Sequence, residues 1–263
     1  MSRTSIIELL LLKYCFLAIT LGLNKNVLEV NVMAKKHSEE YLLRPMTLGD
    51  IPQLIQIDAE SFSENNAPPD FKRELLSNDL ASYFVVVDEA CNYNEWASKS
   101  DNPRIPTVTK PESSKKLSTV LWRLANKKKQ TIVSNTEELI VGYIGLWSVV
   151  DQGHIVSIAV RESHRKQGVG ELLIIGSIES NKLLDNVQLT LECRVSNQIA
   201  QKLYRKFGFK VVGRRKQYYS DNKEDAFIMT TDLINSLDYE EMFHELREKH
   251  SQKWGLRPRY LES

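Results

Sequence analysis

Apolar residues recur along the chain in two periods, and the switches between them mark its elements. Tyr41 to Arg44 reads as a short strand closed by Pro45, and Thr47-Leu-Gly-Asp50 has the form of a capping box with an acidic third residue. Leu48, Ile51, Leu54, Ile55 and Ala59 then fall at helical spacing, and a second short helix is expected after Pro68-Pro69 with Phe71, Leu75 and Leu76. Tyr83 to Val87 is β-branched and aromatic throughout, which predicts a buried strand, and Leu139 to Val150 resumes that character around Gly142 and Gly145.

The last third is the most regular. Ile155 to Val160 reads as a strand, Gly170 to Leu184 as a helix with a broad apolar face, and Val187 to Cys193 as a strand of strict alternation. Ser196 or Asn197 caps a helix whose Ala200, Leu203, Tyr204 and Phe207 share one face, and Gly208 ends it. Two strands follow, Phe209 to Val212 and Ala226 to Thr230, and a charged helix from about Asp238 to Lys253 forms a tail.

Two regions break the pattern. Residues 89–138 hold Pro103, Pro106, Pro111, and the basic runs Lys115-Lys116 and Lys127-Lys128-Lys129. Connections inside a domain usually run ~4–6 residues, so this segment is expected to be an insertion, partly disordered, with a short helix over Leu117 to Asn126. Near the start, Ile6 to Leu23 is the most apolar stretch, but Glu8 and Lys13 interrupt it. The uncharged core that remains is too short for a bilayer, which needs about 20 apolar residues, and no small-residue cleavage pattern follows. Residues 1–40 are therefore expected to be an extension outside the fold, with Met33 as an alternative start.

Composition narrows the class. The chain has 263 residues, 42% hydrophobic and 26% charged, and a formal net charge of +1. This is a folded domain, and near-neutral charge argues against a bulk nucleic-acid binder. Cys15, Cys91 and Cys193 stand at wide, irregular spacings that form neither a disulfide framework nor a metal knuckle. A reducing, cytoplasmic setting is expected, with no metal and no membrane partner.

Candidate chemistry lies in Arg165-Lys-Gln-Gly168-Val-Gly170, between a strand and a helix. Two glycines there let consecutive N–H groups and the helix N-terminus converge on an anion such as a pyrophosphate, with Arg161, Arg165 and Lys166 supplying positive charge. The loop lacks the endings of a nucleotide P-loop and of a dinucleotide fingerprint.

In its context, His154-Ile-Val-Ser-Ile-Ala-Val160 followed by Arg165-x-x-Gly168-x-Gly170, this stretch resembles the acetyl-coenzyme A motif of the GNAT superfamily of N-acetyltransferases. Leu191-Glu-Cys-Arg-Val-Ser-Asn197, Leu203-Tyr204, Phe207-Gly-Phe209, Gly213-x-Arg215, Tyr218-Tyr219 and Glu224-Asp-Ala226 look like the bacterial ribosomal-protein-alanine N-acetyltransferase family. The resemblance covers about residues 41–232 apart from the insertion, and leaves 233–263 as a helical tail. It implies an α/β fold, a central mostly antiparallel sheet flanked by helices with the insertion between the second and third strands. It also implies transfer of acetyl from acetyl-coenzyme A to a protein N-terminal α-amine, a ribosomal protein being one candidate acceptor. By the same resemblance Ile158, Ala159 and Val160 offer backbone groups to the acetyl and pantetheine portion. Lys166, Gln167, Gly168, Val169, Gly170 and Glu171, with Arg165, cradle the pyrophosphate. Asn197 holds the pantetheine arm, Glu192 is the general base and Tyr204 the general acid.

Alternation supports one of these assignments independently. Val187, Leu189, Leu191 and Cys193 point to one face of their strand, so Glu192 points to the other with Gln188 and Thr190. An α-ammonium with a pKa of ~7.7–8.0 must lose a proton before it attacks, and a carboxylate can take it. An exposed strand glutamate would share the alternation, as a core tyrosine would share the helical stripe of Tyr204. Tyr218 and Tyr219 can line an acceptor groove or simply end a strand. Two other functions fit the same residues: acetylation of a small amine or lysine, separable by substrate competition, and a silent coenzyme A-binding module, which would bind without turnover.

Overall fold

The computed structural model describes residues 41–62, 68–99, 137–255 and 259–261. The expectations for residues 1–40, including Cys15 and Met33, and for the helix over Leu117 to Asn126 and both lysine runs lie outside the described residues.

Seven strands of the described chain form one open sheet in the order β1-β2-β3-β4-β5-β7-β6. They are β1 (Tyr41–Pro45), β2 (Ala81–Asn92), β3 (Glu138–Val149), β4 (Gln152–Val160), β5 (Gln188–Arg194), β6 (Lys210–Arg215) and β7 (Ala226–Thr230). All neighbours are antiparallel except β4 and β5. The helices are α1 (Ile51–Ser61), α2 (Phe71–Ser77), α3 (Tyr93–Lys99), α4 (Val169–Leu183), α5 (Gln198–Lys206) and α6 (Leu237–Trp254). No helix of the described residues is long and apolar enough to cross a membrane.

The sheet is covered on both faces, which is why β2 and β3 read as continuous apolar runs. One cluster joins Leu172, Leu173, Ile175 and Ile178 of α4 to Leu189, Leu191 and Cys193 of β5 and to Phe207 and Phe209. The other joins Leu54 and Ile57 of α1 and Phe71 of α2 to Tyr83, Val85 and Tyr143. Burying each such side chain contributes ~1.5–3 kcal/mol.

The face that α1 buries is not the one its leucine and isoleucine spacing suggests. Leu54 is buried, but Ile55 is 44% exposed, and Gln53, Gln56, Ile57 and Asp58 turn inward instead. Each inward polar group has a partner. The amide of Gln53 donates to the Glu138 carbonyl and its oxygen accepts from Ile140 N–H, while the Asp58 carboxylate accepts from the Tyr143 hydroxyl at 2.6 Å. Specific hydrogen bonds to the sheet thus outweigh the apolar stripe. At the entry to this helix the Thr47 N–H donates to the Asp50 carboxylate at 2.7 Å, as the capping pattern predicts.

The start of the expected insertion is regular structure. β2 continues to Asn92 and α3 follows directly, with Tyr93 buried against Gln56 and Trp96 stacked 6.2 Å from the Tyr93 ring.

Candidate active site

Two local irregularities open the sheet where chemistry can occur. β4 and β5 pair only from Gln152 with Gln188 to Ile155 with Leu191, then part. At the same point β4 bulges: Ile155 and Ser157 oppose consecutive residues of β3, leaving Val156 as the extra one. Beyond the fork, Arg161 N–H donates to the Val141 carbonyl of β3. Backbone alternation then directs the groups of Ala159 toward β3 and those of Ile158 and Val160 into the open seam. Arg165 Nε already reaches the Val160 carbonyl from that side, at 3.3 Å. Of the three expected residues, Ile158 and Val160 therefore turn their backbone groups into the open seam, and those of Ala159 are committed to the sheet.

The seam leads to the turn before α4. Gly168, at φ 81°, caps the helix, and Lys166 also has a positive φ of 62°. The N–H groups of residues 166 to 171 donate to no group among the described residues; the first intrahelical bond runs from Leu172 N–H to the Gly168 carbonyl, at 2.9 Å. Six consecutive donors at a helix N-terminus, beside the exposed Arg165 and Lys166, make an arrangement that can hold an anion. Glu171 closes one side, paired with Lys206 of α5 at 2.7 Å.

Arg161 does not belong to that arrangement. It is fully buried, its Nε donates to the Ile140 carbonyl at 2.7 Å, and the guanidinium pairs with Glu60 and lies 4.5 Å from the Trp96 ring centre. A charge this deep needs such partners, so the positive field at the turn comes from Arg165 and Lys166.

At the fork stands Glu192, one residue past the last β4–β5 pair. Its side chain is only 9% exposed, Oε2 lies 2.7 Å from His154 Nε2, and Oε1 lies 3.0 Å from Arg215 Nε. The bond from His154, then the charges of His154 and Arg215, hold the carboxyl below its usual range against the opposing effect of burial. His154 pairs across the strands with Thr190, two positions before Glu192, so the side chains share a face. Sequence reasoning missed His154, because its link to Glu192 depends on the register of two strands distant in the chain. Trp147, opposite His154 on β3, is fixed by a 2.7 Å bond from its indole N–H to Glu74 of α2.

Tyr204 approaches from the other face of the sheet. It packs in the α4–α5 core, burial and the neighbouring Cys193 and Tyr219 push its phenol pKa far up, and its hydroxyl makes no hydrogen bond among the described residues. The hydroxyl itself is not enclosed, since the one shut-in side-chain polar atom without a partner among the described residues is Ser61 Oγ. Cys193 is buried in the same core, its thiol pushed up to about 11, largely by burial. Asn197 caps α5, its side-chain oxygen accepting from Ala200 N–H at 3.0 Å. The loop before β7 brings Tyr219 under Arg194, 3.8 Å from the ring centre, and its hydroxyl to 3.4 Å from the Glu192 carbonyl. Glu224 pins that loop by accepting from Ser196 N–H at 2.7 Å, which helps draw its carboxyl down to about 2.

The acetyltransferase (GNAT) family model matches residues 94–209. A Bacillus subtilis protein named "Putative ribosomal protein bS18-alanine N-acetyltransferase" is 32% identical over 187 residues, 71% of this chain and 92% of that one. The N-alpha-acetyltransferase of Sulfurisphaera tokodaii is 32% identical over 200 residues, 75% of this chain and 96% of its own. The fold is similar to the crystal structure of Arabidopsis thaliana NAA60 in complex with a bisubstrate analogue, with a TM-score of 0.50, 16% identity, and coverage of 73% of this chain and 98% of that one. With the forked sheet, the turn and the matched motifs in agreement, the chain belongs to the GNAT family of acetyl-coenzyme A-dependent N-acetyltransferases.

Proposed function

We propose that this enzyme transfers acetyl from acetyl-coenzyme A directly to the N-terminal α-amine of a protein, within a ternary complex. The observation that carries the reading is the nearly enclosed Glu192 carboxylate, held by His154 and Arg215 at the mouth of the β4–β5 fork. In this reading the turn from Arg165 to Glu171 takes the pyrophosphate, and the backbone of Ile158 and Val160 extends the sheet along the pantetheine arm. The side-chain N–H groups of Asn197 add a contact to that arm.

The amine arrives mostly as ammonium, with a pKa of ~7.7–8.0. A carboxylate held below the ordinary range does not strip a resting ammonium; it orients the amine by hydrogen bonding and takes the proton once attack makes the N–H strongly acidic. His154 steadies the carboxylate by donating its Nε2–H to Oε2, and the proton that Glu192 takes passes on to water. Tyr204, kept neutral by burial, is placed to protonate the departing thiolate from the opposite face. Cys193 points away from Glu192 with a raised pKa, which argues against a covalent thiol intermediate.

The names of the relatives support a protein N-terminus as acceptor, and one of them supports a ribosomal protein. The cytoplasm is the compartment this implies. The test is incubation with acetyl-coenzyme A and peptides beginning with Ala, Ser, Met or Gly, located by mass spectrometry, together with initial-rate kinetics. Acetylation at the α-amine with intersecting reciprocal plots is expected. Modification confined to lysine side chains of N-terminally blocked peptides would overturn the acceptor assignment, and parallel plots would overturn direct transfer.

A further inference from the structure

We infer that the C-terminal helix α6 is a working part of the coenzyme site, with His250 and Trp254 as positioning residues that hold the phosphate turn in its donor geometry. The inference rests on the turn being the phosphate site, as proposed above.

The helix lies along α4 from end to end. Glu240 pairs with Lys182 at 3.1 Å, Arg247 reaches Glu179 at 3.4 Å, and His250 meets Gly168 at the turn. Rising numbers on α6 meet falling numbers on α4, so the two run antiparallel and the last turn of α6 arrives at the first turn of α4. Past the helix, Arg259 pairs with Glu179 at 2.6 Å and Tyr260 N–H donates to the Leu43 carbonyl at 2.9 Å. The helix is anchored along its length and again beyond its end.

His250 is 3% exposed, and its Nε2 lies 3.1 Å from the Gly168 carbonyl oxygen. A carbonyl only accepts, so the imidazole N–H donates. In a trans peptide the carbonyl and the next N–H point in opposite directions. A bond that fixes the Gly168 carbonyl therefore fixes the Val169 N–H, which points out of the helix toward the position of an anion. Trp254 covers the outer side of the same residue: a Cβ on Gly168 would stand 2.7 Å from the indole, over which Lys253 Nζ lies at 4.6 Å. From β1, the Tyr41 hydroxyl donates to Gln167 Oε1 at 2.7 Å.

These external holds have a physical reason. Lys166 sits at a positive φ, a conformation that strains a residue with a side chain. A turn of this kind keeps its shape only where its surroundings over-determine it, and α6 supplies two of those holds, from His250 and Trp254.

The test uses the full chain and compares acetyl-coenzyme A with acetyl-pantetheine, which lacks the phosphates. His250→Leu removes the donor and His250→Gln restores an N–H at the same reach. His250→Leu should raise the KM for acetyl-coenzyme A about tenfold, on the order of one hydrogen bond at ~1.4 kcal/mol. Its kcat and its activity on acetyl-pantetheine should stay within about twofold, and His250→Gln should recover most of the loss. Trp254→Leu, at the helix end, should act in the same direction and serves if His250→Leu does not fold. Equal losses on both acetyl donors would reduce α6 to general stability and overturn the inference, as would unchanged kinetics in a folded variant. Arg165→Glu is the control: if it also leaves the preference for acetyl-coenzyme A over acetyl-pantetheine unchanged, the phosphate assignment of the turn itself is wrong.

Discussion

Glu192→Gln separates the charge of the candidate base from its shape. In the native site one carboxylate oxygen takes the His154 bond and the other takes Arg215, at 2.7 and 3.0 Å. Glutamine keeps an acceptor for the His154 N–H but sets its amide N–H₂ against Arg215 Nε, donor against donor. The Arg215 side chain is 53% exposed and can swing to water, so the folded state should lose only about the worth of one charged hydrogen bond, ~1–3 kcal/mol. For a domain of this size that is about 2–4 °C of Tm per kcal/mol. Turnover should fall far more, by roughly 10² to 10⁴, equivalent to ~2.7–5.4 kcal/mol on the barrier. The assay is thiol release at saturating acetyl-coenzyme A and peptide between about pH 6 and 9, beside a melting curve and calorimetric coenzyme binding, both of which should survive.

The pH dependence sharpens the test. The Glu192 carboxyl lies below its usual 4.5, so it is ionised across the whole assay range and cannot be the source of an acidic limb there. That limb belongs to the acceptor ammonium at ~7.7–8.0, and it should persist in the glutamine variant at reduced height with the same midpoint. For stability the sign is set by the lowered pKa. The contribution of Glu192 is present above the ordinary carboxylate pKa and is lost as pH falls through the lower folded value, so native and variant Tm should converge in acid. Turnover within a few-fold of native, under conditions where chemistry limits the rate, would refute the reasoning and leave Glu192 an ion-paired strand residue.

Tyr204→Phe should preserve the fold, since the hydroxyl has no hydrogen bond to lose among the described residues, and should slow turnover by about 10²-fold without changing the shape of the rate profile between about pH 6 and 9, where the raised pKa keeps the phenol neutral. Cys193→Ala should retain kcat within about threefold and cost ~1 kcal/mol of stability from its buried position; a loss of turnover beyond a hundredfold would revive a thiol nucleophile. Arg161→Met leaves Glu60 without its partner near the buried Gln56 and Trp96, and should lower stability by about 3–5 kcal/mol, read as a large drop in denaturant midpoint.

Elements whose periodicity is local were legible in the sequence, and contacts between distant segments were not. β5 alternates without interruption, so the direction of Glu192 away from Leu191 and Cys193 followed from position alone, and the observed burial alternates with it. The helix ends at Asn197 and Gly208 carried their own signals, a side-chain cap and a φ of 82°. The inward face of α1 was misjudged because apolar spacing says nothing about Gln53, Gln56 and Asp58 finding partners on β3 and α3. His154 stands within the strand motif, but only the β4–β5 register brings it to Glu192.

Arg161 shows most clearly why the surroundings of the site escaped a reading along the chain. Three basic residues within six positions suggest one positive patch, yet the first turns inward and the other two turn out. The cause lies outside the motif: Glu60 of α1 and Trp96 of α3 offer a buried carboxylate and a ring face just where β4 ends. Tying Arg161 there fixes the chain at the entrance of the turn, as the bond from His250 to Gly168 fixes it at the exit. The residues between them, Glu162 to Gln167, must then span two fixed points, which limits the shapes the turn can take. The anchors come from α1, from the start of the expected insertion and from the C-terminal helix, all distant in sequence from the turn they hold.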